Sequence, residues 1–180
     1  MSSLRRVTLV TALVMVLVDQ STKHWALNHL ADGHVDNIVG SLRLNLAFNT
    51  GMAFAKGQGI GPFIAVAGLV VITFLLVGLR RETKPGAILV GLVAGGAAGN
   101  IVDRLFRGEA WLHGAVVDFI DLQWWPIFNV ADIGVVCGAI LLVISTLRAP
   151  TYQHLDPNAE GEDAPGADES PVVASAGDGD

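Results

Sequence analysis

The sequence is poor in charge and almost empty of cysteine. Its single cysteine, Cys137, excludes an intramolecular disulfide and any multi-cysteine metal site. Lying within an apolar run, it reads as a small core residue. Charged residues make up 16% of the 180 positions against 52% hydrophobic, where soluble domains carry about 25% charge. Beyond Arg148 there is no lysine or arginine. No phosphate-binding loop is present: Gly91, Gly95 and Gly99 have no strand before them and no Lys-Ser/Thr after. His24, His29, His34 and His113 also lack the spacing of four that a helical zinc pair needs.

The net charge of −6 is unevenly spread. Eight of the seventeen acids follow Arg148, leaving nine acids against eleven bases, a net of +2, in the rest of the chain. The acidity therefore belongs to a tail and gives no argument for a cationic partner; nor is a nucleic-acid partner expected. Residues 150–180, rich in Pro, Gly, Ala, Ser and acids, read as a disordered tail on a membrane domain of residues 1–149.

What the sequence has is long apolar runs. About 20 residues cross a bilayer core as a helix. Residues 60–79 do so without a charge, 86–105 with Asn100 and Asp103 at the far end, and 127–147 with Asp132 as the one ionisable intruder. Residues 7–30 begin apolar and turn polar at "DQSTK" (19–23). Arg5 and Arg6 before this first run suit a signal peptide too, but no small-residue cleavage site follows. The expectation is an all-α integral membrane protein with four transmembrane helices. "SLRLNLAF" alternates apolar and polar residues, so short strands are expected in a small β-rich extracytoplasmic region.

Bases at the span ends set orientation. Four spans put Arg5, Arg6, Arg80, Arg81, Lys84 and Arg148 on one side, and Lys23, Arg43, Lys56, Arg104 and Arg107 on the other. Lys23 and Arg104 each have a carboxylate nearby, Asp19 and Asp103, which weakens their vote. Both termini are therefore expected in the cytoplasm. The segments "DQSTK", "NLAFNTGMAF", "GNIVDR", "VVDFIDL" and "FNVAD" then share the outer face, which marks a site.

Asp19 and Lys23, four apart, can pair on one helix face. Asn100, Asp103 and Arg104 share another, where Arg can clamp a carboxylate or peptide carbonyl. Gly91, Gly95 and Gly99 form a stripe of small residues for close helix packing. Trp124 and Trp125 suit an interfacial anchor. Asp118 and Asp132 have no adjacent base. A carboxylate costs about 2.5–3.5 kcal/mol at the centre of a membrane helix, so Asp132 needs a reason. If the two acids meet, they share a proton and supply a general base and a general acid. Asp121 reads as a solvated loop acid. On chemistry alone, hydrolysis, ion or proton transport and Mg²⁺ or Ca²⁺ binding all stay open.

In order, "DQSTK", "NTGMAF" (49–54), "GGAAGNIVDR" (95–104), "VVDF" (116–119) and "FNVAD" (128–132) resemble the lipoprotein signal peptidases of bacteria, over residues 7–148. The resemblance implies an aspartic endopeptidase of the bacterial cytoplasmic membrane, with its site towards the outer face. It would cut diacylglyceryl-modified prolipoproteins before the lipidated cysteine, as a monomer in contact with membrane lipid, with no metal and no cofactor. Asp118 and Asp132 would be the catalytic dyad. Asn49, Asn100, Arg104 and Asn129 would orient substrate or dyad, with Asp19, Lys23, Gly99 and Asp103 supporting the site. Met52 stands where the family more often has alanine, and Ala115 where tyrosine is common.

Overall fold

The computed structural model describes residues 2–51, 61–78, 83–109 and 111–148. The acidic tail, Met52 and the bases Lys56, Arg80 and Arg81 lie outside the described residues. Helix α1 runs Ser3–His29, its first turn capped by the Ser2 hydroxyl, which accepts from the Arg5 N–H. Helix α2, Gly61–Thr73, continues as a π-helical turn over Phe74–Gly78. Helix α3, Lys84–Phe106, starts at a Thr83 cap with Pro85 in its first turn, where a missing N–H costs nothing. Helix α4, Val130–Leu147, starts at Asn129.

Two of these helices, Lys84–Phe106 and Val130–Leu147, are long and apolar enough to cross a membrane among the described residues, and Gly61–Val77 is a shorter apolar helix. Rows of large apolar side chains are left exposed: Leu9, Val10, Leu13 and Leu17 on α1, Phe63, Val66 and Val70 on α2, Ile140, Val143 and Leu147 on α4. A water-soluble monomer rarely exposes such contiguous surface; it suits lipid.

Helix α3 is the hub, and its small residues make it so. A Cβ on Gly91 would sit 2.7 Å from the Thr8 carbonyl, and one on Gly95 2.6 Å from that of Ala12, so α1 lies against bare backbone. Gly96 faces the other way, where a side chain would collide with the Ala131 carbonyl of α4. The stripe expected to pack helices does so against α1, and Gly96 beside it packs α4.

Three antiparallel strands, β1 (Asp36–Val39), β2 (Leu42–Asn49) and β3 (Val116–Asp121), form a sheet in that order. The short β1–β2 connection uses Gly40 at φ 57°, a conformation glycine adopts without strain. Ala26, Leu30 and Phe119 bury together and seat the sheet on the C-terminal end of α1. The segment "VVDFIDL", expected only as an inter-span connection, supplies β3. Asp121 is a correction: far from being solvated, it is 3% exposed. Arg43 Nε donates to it at 2.7 Å and the Gln123 N–H at 2.6 Å. Position 121 falls opposite Arg43 in the β2–β3 register, a cross-strand pairing that local sequence does not display.

Candidate active site

Two backbone events bring Asp118 and Asp132 together. Strand β3 places Asp118 opposite Ala47 of β2, so Asn49, two residues on, shares its face and donates from Nδ2 to Asp118 Oδ2 at 3.1 Å. The chain after β3 then doubles back. Ile120 and Phe128 exchange backbone hydrogen bonds of 2.8 and 3.0 Å, which returns the start of α4 to the side of β3.

At that start, Asn129 and Asp132 form a capping box. Asn129 Oδ1 accepts from the Asp132 N–H at 3.0 Å, and Asp132 Oδ2 accepts from the Asn129 N–H at 3.1 Å. A carboxylate in the first turn satisfies an otherwise orphaned donor and faces the positive end of the helix dipole. This is the local reason Asp132 is tolerated in an apolar helix. The Asn129 side chain does more than cap. Its Nδ2 donates to Asp118 Oδ1 at 2.6 Å and to Asn100 Oδ1 at 3.1 Å. Asn100 Nδ2 in turn donates to Asp132 Oδ1 at 2.8 Å. Both carboxylates are thus held by two asparagines that also hold each other, and both line one open cleft of about 570 Å³.

Asp118 is 3% exposed. Its burial, and next the charge of Asp132, push its carboxyl up from 3.8 to about 6, against the pull of the Asn129 and Asn49 hydrogen bonds.

Behind the cleft lies an ionic cluster between α1 and α3. Lys23, fully buried, meets Asp19 and Asp103 at 2.9 Å each and donates to Asn100 Oδ1 at 2.8 Å. The pair expected within α1 is therefore shared with α3. Asp19 Oδ1 accepts the Ala131 N–H of α4 at 3.0 Å, and Asp103 Oδ2 accepts the Val117 N–H of β3 at 3.1 Å. Gln20, which sequence reasoning passed over, donates to Asp19, Asp103 and the Gly99 carbonyl. A Cβ on Gly99 would lie 2.5 Å from Asp19 Oδ2, so only glycine leaves room for that carboxylate.

Arg104 lines the cleft. It donates from Nη2 to the Gly51 carbonyl at 3.1 Å. Its Nη1 is, among the described residues, the one buried side-chain nitrogen or oxygen without a hydrogen-bond partner. A second cavity, about 360 Å³ and lined by Leu122, Trp124, Ile133 and Cys137, shares Trp125, Phe128, Asp132 and Val136 with the cleft. Every predicted site residue therefore reaches one connected constellation. It comprises two neighbouring carboxylates, the amides that orient them, an arginine whose Nη1 has no partner among the described residues, and an apolar annex.

Comparison with known proteins points the same way. A family model described as signal peptidase (SPase) II matches residues 11–148. A lipoprotein signal peptidase of Rhodococcus jostii is 41% identical over 145 residues, 79% of this chain and 73% of the relative. One from Mycolicibacterium smegmatis is 40% identical over 161 residues, 88% and 68% of the two chains. One from Syntrophomonas wolfei is 39% identical over 138 residues, 75% and 89%. A bacterial membrane enzyme solved at 1.9 Å by the in meso method superposes with a TM-score of 0.64 at 26% identity, covering 79% of this chain and 94% of that one.

Proposed function

The chain belongs to the signal peptidase II family, a protease family, and from that premise we propose that Asp118 and Asp132 are its catalytic dyad. Its function is lipoprotein processing, as in the relatives that share about 40% of its sequence. The observation that carries the dyad is the convergence of the two carboxylates on one cleft across Asn129. Asp118, the more buried of the two and pushed up to about 6, carries the shared proton in the reactive form of the enzyme. Asp132, anchored by the first turn of α4, takes a proton from water as the water attacks the scissile carbonyl. Asp118 gives its proton to the carbonyl oxygen, and collapse of the tetrahedral adduct delivers a proton to the departing amine.

The surroundings supply positioning. Arg104 Nη1, buried without a partner among the described residues, is placed to donate to a substrate peptide carbonyl. The apolar annex beside Asp132 suits the lipid of a prolipoprotein whose first mature residue is an S-diacylglyceryl cysteine. Lipid chains kept in the membrane would hold the scissile bond at the depth of the dyad, an orientation effect. The exposed apolar rows on α1 and α2 support four spanning helices. The basic residues support cytoplasmic termini and a site opening outward.

The test uses the full chain purified in detergent and a diacylglyceryl-modified prolipoprotein, with and without chelator. The expected result is chelator-resistant cleavage before the lipidated cysteine, lost in both Asp118→Asn and Asp132→Asn. Wild-type rates in either variant would remove that residue from the dyad.

A further inference from the structure

At the far end of α1 lies a cluster that the peptidase site does not use. His29 Nε2 stands 2.9 Å from Asp36 Oδ2, and His34 Nε2 stands 3.5 Å from Asp36 Oδ1. One nitrogen from each histidine and one Asp36 oxygen all lie within 4.8 Å of one another. His29 and His34 are five positions apart, the wrong spacing for a helical pair. The helix, however, ends between them. Gly33, at φ 81°, turns the chain with its N–H on the Leu30 carbonyl. The turn folds His34 back over His29, with ring centres 5.3 Å apart.

We propose that His29, His34 and Asp36 bind a divalent transition-metal ion, zinc being the representative, at a surface site separate from the dyad. Three features carry this. The donor set is two imidazoles and a carboxylate, which suits zinc, copper or nickel and not the hard cations magnesium and calcium. The spacing fits: tetrahedral zinc with bonds of about 2.0–2.1 Å sets its donors about 3.3 Å apart. The two histidine–carboxylate distances, 2.9 Å to Oδ2 and 3.5 Å to Oδ1 of Asp36, lie on either side of that value through different oxygens of the one carboxylate. Third, the outer partner is in place. Asp32 faces Nδ1 of His34; with Nδ1 donating to it, Nε2 of the neutral ring is left for the metal, the carboxylate–histidine–metal arrangement.

With three protein ligands, the fourth position goes to water, since these side chains are partly exposed. The ion joins the end of α1 to the first residue of β1 across the 30–35 loop. It thereby fastens the hairpin that extends the sheet carrying Asp118. His29 stacks on Trp25, centres 4.9 Å apart, and Trp25 meets Phe119 edge-on at 6.4 Å, so the site has an optical reporter.

The experiment titrates zinc, by calorimetry, into tag-free, chelator-stripped full-length protein in detergent. One equivalent should bind, and zinc should raise the apparent melting temperature. His29→Ala and His34→Ala should each abolish that site while leaving prolipoprotein cleavage intact, which shows the variants are folded. Asp32→Asn should weaken binding about ten- to a hundredfold without removing the site. Copper should quench part of the tryptophan fluorescence, and Trp25→Phe should lose that part. Wild-type protein that takes up no zinc, or His34→Ala that binds it as tightly as wild type, overturns the proposal. His24 and His113 remain in every variant and would reveal binding elsewhere.

Discussion

Replacing Asp118 by asparagine should abolish cleavage and, at neutral pH, leave the protein as stable as wild type or more so. Asp118 is raised from 3.8 to about 6 by burial and by Asp132. Each pKa unit is worth about 1.4 kcal/mol, so keeping this group ionised in the folded protein costs about 3 kcal/mol. Between 3.8 and about 6 the folded protein binds more of this proton than the unfolded chain does. Stability from Asp118 is thus full below 3.8 and falls as pH rises through about 6. Asparagine is nearly isosteric with the protonated acid, but its NH2 cannot accept from Asn49 or Asn129 as a carboxyl hydroxyl still can. The difference in stability between variant and wild type should therefore be a small constant offset at low pH. It should grow by about 1.4 kcal/mol per pH unit across the window and level off above about 6. Apparent melting temperatures followed in detergent over that range read it directly, at about 2–4 °C per kcal/mol for a chain of this size. A variant whose melting temperature tracks wild type in parallel at every pH would refute the electrostatic account of Asp118.

Lys23→Met should be the most damaging single change in the body. It leaves Asp19 without a cation in a buried site, beside an Asp103 whose one remaining cation is Arg107, with Nε at 2.8 Å, a loss of about 3–5 kcal/mol, read as a collapse in the yield of folded protein from detergent. Asn129→Ala removes the α4 cap, worth about 1 kcal/mol, and the amide that holds Asp118. Modest destabilisation should accompany a fall in kcat of about a hundredfold, with KM little changed; a rise in KM with kcat unchanged would argue that Asn129 only binds substrate.

The parts of this site that were legible in the sequence were those with local signatures. Asp19 and Lys23 advertise themselves by spacing, the glycine stripe by period, and Asp132 by its misfit in an apolar run. Contacts set by the approach of distant segments were not legible. Gln20 looks like any polar residue at the end of an apolar run until Gly99 lets α3 come close enough for its amide to reach three acceptors. Asp121 looks solvated because its partner Arg43 lies 78 positions away, across a strand pairing. His29 and His34 fail a helical spacing test because the helix stops between them.

The ionic cluster behind the cleft explains more than its own neutralisation. Buried ion pairs are weak arguments for stability, and an apolar seam would join α1 to α3 at lower electrostatic cost. What an apolar seam cannot do is accept hydrogen bonds. Asp103 takes the N–H of Val117, the residue before Asp118, and Asp19 takes the N–H of Ala131, the residue before Asp132. Lys23 binds both carboxylates and also the Asn100 oxygen, and Asn100 in turn holds Asp132. One buried cation therefore sets, through two acids, the backbone on which each member of the proposed dyad sits. β3 and α4 are consecutive in the chain and tied by the Ile120–Phe128 bridge, but one bridge at one end does not by itself fix their relative height to a fraction of an ångström. A common anchor through directional bonds does fix it, and two carboxylates that share a proton need that.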